Sequence, residues 1–198
     1  MSRFARTGFA ALVLLFAACA GAHAQTGANV AVVINEASAA SIEIGEYYAQ
    51  KRNVPASNVI RLSTSVEESL TRAAYRESIE SPVAKALFDR GIQDRVLYIV
   101  LTKGVPLKIS GVRGSRGDAA SVDSELTLLY RRMAGRDVLV TGTVDNPYHA
   151  GARPVGEMGP FSRRDHDIYL VTRLDGFTVD DVRALVDRGL APSRDGRI

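Results

Sequence analysis

Two runs of aliphatic and β-branched residues, 29–35 (N-V-A-V-V-I-N) and 95–102 (R-V-L-Y-I-V-L-T), constrain the fold of this chain more than any other feature. Neither alternates apolar with polar residues. As extended strands they must therefore be buried on both faces, which is the condition of a parallel sheet with helices on each side. The segments between them have helical spacing. Ile44, Tyr47, Tyr48 and Lys51 fall on one stripe of a helix that Ser41 can cap and that Asn53-Val54-Pro55 ends. Residues 58–62 read as a second, short strand.

The rest of the chain repeats the alternation. Residues 71–90 carry Ile79, Val83, Ala86 and Leu87 at helical spacing, interrupted by Pro82, which has no backbone donor. A kink is expected there, or a new helix starting near Ser81 with proline in its first turn. Gly91 ends it. Residues 103–118 are rich in glycine and read as an irregular excursion with a short strand at 105–109. Ser121 then opens a helix with Val122, Leu126, Leu129, Tyr130 and Met133 as its apolar stripe and Asp123 and Glu125 in its first turn. Residues 136–160 read as a long exposed loop or small hairpin, and 167–173 as a strand. Thr178-Val179-Asp180-Asp181 resembles a capping box with Asp in place of Glu, followed by Val182, Leu185 and Val186 as a buried helical face.

The fold class expected from this pattern is α/β, a doubly wound, mainly parallel sheet in a flavodoxin-like or caspase-like three-layer sandwich. Asp195-Gly196-Arg197-Ile198 has the character of a turn entering another strand. The chain is accordingly expected to be truncated at its C-terminus, with 25–198 the N-terminal part of one α/β domain.

The first 24 residues have the layout of a secretory signal peptide: Arg3 and Arg6, an apolar run from Phe9 to Ala18, and Ala22 and Ala24 before Gln25. The apolar run is shorter than the roughly 20 residues that span a bilayer. Export to the periplasm or medium with cleavage after Ala24 is expected. Phe16-Ala17-Ala18-Cys19 also resembles a lipoprotein processing site, so membrane attachment is expected only if Cys19 is lipidated. Cys19 is the sole cysteine. Ordinary cleavage therefore removes disulfides, a cysteine nucleophile and thiolate metal sites together. It also leaves 23 basic against 22 acidic residues, a balance that argues against nucleic acid as a partner.

Tyr98-Ile99-Val100-Leu101-Thr102-Lys103-Gly104-Val105-Pro106-Leu107, Ala119-Ala120-Ser121-Val122-Asp123-Ser124-Glu125-Leu126 and Tyr169-Leu170-Val171-Thr172-Arg173-Leu174-Asp175-Gly176 together resemble a family of exported bacterial conserved hypothetical proteins. Asn35-Glu36, Gly45-Glu46-Tyr47-Tyr48 and Asn146-Pro147-Tyr148 extend the resemblance over nearly the whole mature chain. It implies export and a longer parent protein, and no activity, cofactor or catalytic residue. A weaker similarity is to caspase-like and gingipain-like peptidases, which place chemistry after the third and fourth strands of a parallel sheet. Those enzymes need a histidine followed by glycine after one strand and a cysteine after the next. This chain has Lys103-Gly104 and Arg173-Leu174-Asp175 instead.

Ligands of open α/β sheets bind beyond the carboxyl ends of the strands. The candidate ligand-binding residues there are Lys103, Arg173 and Asp175, with Asn35 and Glu36 nearby and Asp123 and Glu125 reaching in from the helix at Ser121. Lys103 and Arg173 suit an anionic group; Glu36 and Asp175 suit acid–base or cation work. The competing reading is that these charges neutralise one another. Gly111-Val112-Arg113-Gly114-Ser115-Arg116-Gly117 offers backbone donors for a phosphate, but neither nucleotide fingerprint is present and Asp118, Asp123 and Glu125 crowd the helix start. A flexible basic loop is the expectation. Ser121, Asp123, Ser124 and Glu125 read as capping rather than a cation site. His149 and His166 lack the G-x-S-x-G context of a serine hydrolase, and His166 reads as part of a solvated charged turn. No cofactor or metal is expected. Two functions follow as expectations: a binding or interaction module of the cell envelope for a small-molecule or envelope ligand, or the N-terminal part of a hydrolase-like enzyme with catalytic residues downstream.

Overall fold

The computed structural model describes residues 25–190 apart from 115–116, 139–143, 145, 150, 152–153, 155–156 and 158, with side chains outside 112–119. The expected signal peptide with Cys19 and the expected turn at 195–198 fall outside the described residues. In chain order the elements are β1 (Val30–Asn35), α1 (Ala39–Lys51), β2 (Val59–Leu62), β3 (Ser69–Thr71), α2 (Arg72–Tyr75), a π-helical stretch (Arg76–Glu80), α3 (Ser81–Asp89), β4 (Tyr98–Thr102), β5 (Lys108–Gly114), β6 (Gly117–Ser121), α4 (Val122–Thr127), α5 (Leu129–Met133), β7 (Leu170–Leu174) and α6 (Val179–Arg188).

β2, β1, β4 and β7 form, in that order, a parallel sheet. The continuous apolar runs are its two central strands, as burial on both faces demands. Ala31, Val33, Ile60, Ile99 and Leu101 face a layer containing Tyr75, Ile79, Val83, Leu87, Val122 and Leu126. The opposite face packs against α1 and α6 through Ile44, Val100, Leu174, Val182 and Val186. The three-layer α/β sandwich is thus present. Gly45 lets α1 lie close on β1, since a Cβ there would sit 2.4 Å from an Ile34 side-chain carbon.

Several local expectations change. Ser38 rather than Ser41 caps α1, its hydroxyl accepting from the Ser41 N–H at 3.2 Å. Ser41 is instead wholly buried between β1 and β4. The helix over 71–90 divides at Pro82 as expected, but a π-helical turn joins the halves, so the missing proline N–H falls where the bonding ladder is already widened. Residues 103–118 are not irregular: β5 and β6 pair antiparallel, and β3 joins β5 in a second small sheet. The helix opened by Ser121 breaks at Leu128. In α6 the Thr178/Asp181 capping box forms, while Leu185 is exposed and Val179 packs in its place.

Candidate functional site

The strand order reverses direction between β1 and β4, where the crevice of a doubly wound sheet opens. Here polar side chains close it. Asn35 is wholly buried; its amide nitrogen donates to the carbonyls of Ser65 (3.2 Å) and Gly104 (2.8 Å), and its amide oxygen accepts from the N–H groups of Ala37 (3.1 Å) and Thr64 (3.2 Å). That uses its two donor hydrogens and both lone pairs. Alongside it, the Ser41 hydroxyl accepts from the Asn35 N–H at 2.7 Å and lies 2.5 Å from the Thr102 hydroxyl, which donates to the Val33 carbonyl. Gly104 has φ +91°, and a Cβ there would stand 2.4 Å from the Ser38 hydroxyl oxygen. The loop after β4 is therefore seated directly on the start of α1.

One strand further, β4 and β7 run in register, with Leu101 beside Arg173 and Thr102 beside Leu174. This brings Lys103 to Asp175. The Lys103 ammonium donates to the Asp175 carboxylate at 3.0 Å and to the Gly176 carbonyl at 2.7 Å, with the two side chains 35% and 42% exposed. Arg173 turns elsewhere. Its guanidinium grips both Asp123 oxygens, at 3.2 and 2.5 Å, and donates to the carbonyls of Val105 (2.6 Å) and Pro106 (3.1 Å), leaving its side chain only 10% exposed. It ties β7, α4 and the loop after β4 together.

The remaining candidates separate from this pair. Glu36 lies on the β2 side, 3.8 Å from Arg61, which also binds Glu46 at 2.8 Å. Glu125 is buried, pairing with Arg72 at 2.9 Å and with Arg132, and Arg132 also pairs with Glu80. Asp123 and Glu125 thus serve different partners and do not converge, while Ser121 accepts from the Ser124 N–H as a cap. The glycine run proposed as a phosphate cradle or basic loop belongs instead to the β5–β6 hairpin, Gly114 pairing with Gly117 across it; Ser115 and Arg116 lie outside the described residues.

Three features escaped the sequence reading. The buried Arg72–Glu125–Arg132–Glu80 network joins residues far apart in the chain, which no local motif signals. His166 is not simply solvated: its ring stacks on Phe161 at 5.1 Å between centroids and meets Tyr148 edge-on. Phe177, immediately before the α6 cap, is 99% exposed. Its position gave a usable signal, because a residue there normally packs onto the first turn of the helix. Searches against family models, curated proteins and solved structures give no match to this chain.

Proposed function

We propose that the chain is an exported binding module of the cell envelope that receives an anionic group of its ligand at Lys103, on the rim between β4 and β7. The observation that carries this reading is the half-exposed Lys103–Asp175 pair at the carboxyl ends of adjacent strands. Exposed ion pairs contribute about 0–1 kcal/mol, so a ligand anion displaces Asp175 from Lys103 at little cost. Arg173, Asp123 and Asn35 hold the loops beside that rim. The near-neutral mature charge supports a small-molecule or envelope ligand over nucleic acid.

At the strand ends where the weaker caspase-like resemblance would call for a histidine and a cysteine, this chain has a lysine–aspartate pair. It supplies electrostatic recognition and no nucleophile, which favours a binding module over the hydrolase-like reading. The test is titration of the purified protein with inorganic phosphate and with acetate, followed by amide chemical shifts. Saturable shifts centred on Lys103, Gly104 and Gly176, lost in Lys103→Met with the melting transition retained, are expected. Absence of a saturable response, or one centred elsewhere, refutes the site. Hydrolysis of peptide or ester substrates that disappears in Asp175→Asn would establish the enzyme reading instead.

A further inference from the structure

Asp175 shows what the Lys103 site accepts, because its own side chain already fills the place of a ligand. One carboxylate oxygen takes two hydrogen bonds there, from the Lys103 ammonium at 3.0 Å and from the Gly176 N–H at 2.8 Å. Both donors are fixed from behind. The Lys103 N–H donates to the Leu174 carbonyl at 2.9 Å and its ammonium to the Gly176 carbonyl at 2.7 Å, so the lysine is tied to β7 and its following loop at both ends. Gly176 lies so close on the first turn of α6 that a Cβ on it would stand 3.1 Å from side-chain carbons of Asp181 and Val182. Its N–H therefore keeps its direction when the exposed Asp175 side chain rotates away. The surroundings also limit the charge a ligand can bring. A displaced Asp175 stays in the same loop, and Asp181 is held beside Gly176 by the Thr178 N–H and hydroxyl. One ammonium among two carboxylates suits a single negative charge and opposes a second.

Phe177 supplies an independent observation. It follows Gly176 directly, and its ring is 99% exposed although a residue before a helix cap ordinarily packs onto the first turn. Gly176 already covers Val182, which is 1% exposed without that ring. The fold thus sets a wholly exposed aromatic ring one residue from the donor that Asp175 occupies. We propose that the ligand of the Lys103 site is a small organic monocarboxylate bearing an aromatic or other apolar group. Its carboxylate takes the place of Asp175 on the Lys103 ammonium and the Gly176 N–H, and its apolar group lies on the Phe177 ring and removes part of it from water. This rests on the reading of Lys103 as an anion receptor and adds the class of ligand.

Amide chemical shifts followed during separate titrations with 3-phenylpropionate, acetate and inorganic phosphate test this. 3-Phenylpropionate should saturate shifts at Lys103, Gly176 and Phe177 with an affinity about two- to tenfold above that of acetate, the gain of one added aromatic contact. Phosphate should bind more weakly than acetate. Phe177→Ala, on a wholly exposed side chain, should remove the advantage of 3-phenylpropionate and leave the affinity for acetate unchanged. Equal affinities of the two carboxylates, tighter binding of phosphate than of acetate, or an advantage that survives Phe177→Ala each overturns the ligand class while Lys103 remains an anion receptor. No saturable response at Lys103 to any of the three overturns the receptor itself, and the ligand class with it.

Discussion

Replacing Arg132 by Met probes the charge network most sharply. Arg132 is 19% exposed at its side chain and holds Glu80 and Glu125, which are 16% and 6% exposed. Burial opposes its charge, yet the two carboxylates outweigh burial and hold the guanidinium above the ordinary arginine value. Removing one member of a buried ion pair costs about 3–5 kcal/mol, because the charge left behind can neither pair nor reach water. In a chain of this size about 1 kcal/mol shifts the melting point by about 2–4 °C, so a fall of about 6–20 °C is expected. Urea unfolding followed by far-ultraviolet circular dichroism suits the measurement, as the chain has no tryptophan. The midpoint should fall at constant slope. Glu80→Gln in the same background should recover part of the loss, since Glu125 retains Arg72. A loss below about 1 kcal/mol, the size of an exposed pair, would refute the assignment of these charges to the interior.

Other expectations follow from single contacts. Burial pushes the hydroxyls of Tyr75 and Tyr169 above the ordinary tyrosine range. The folded protein therefore keeps their protons where the unfolded chain releases them, so stability is full below about pH 10 and declines as pH rises beyond it; Tyr75→Phe should lessen that decline in alkaline melts, and an unchanged slope would contradict it. Thr178→Ala removes the hydroxyl that accepts from the Asp181 N–H at 3.1 Å and should cost about 1 kcal/mol, read as a shift in urea midpoint. Gly104→Ala forces a side chain into left-handed backbone and onto Ser38, and should cost about 1–3 kcal/mol; a wild-type midpoint would show that the loop after β4 moves freely.

The amino-acid sequence by itself determined the strands of the parallel sheet and the helices that layer on it. Continuous apolar runs at β1 and β4 and amphipathic spacing at α1 and α3 are local patterns, and each demands burial on a stated number of faces. Ser121 and Thr178 were likewise legible as helix starts, because capping joins residues three apart. The β5–β6 hairpin was missed because its glycines read as punctuation when they are strand residues, Gly114 pairing with Gly117. The candidate site was legible only as a set of residue types at strand ends. The tertiary structure decided which charge meets which. Because β7 lies beside β4 and not beside β1, Lys103 reaches Asp175, while Glu36 stays with Arg61 on the other side of the sheet. Arg173 and Glu125 became internal because neighbouring layers cover them, and a charge that loses water must take whatever partner the packing brings within reach. Strand order and layer contacts are long-range properties of the folded chain, so no local run of residues encodes them.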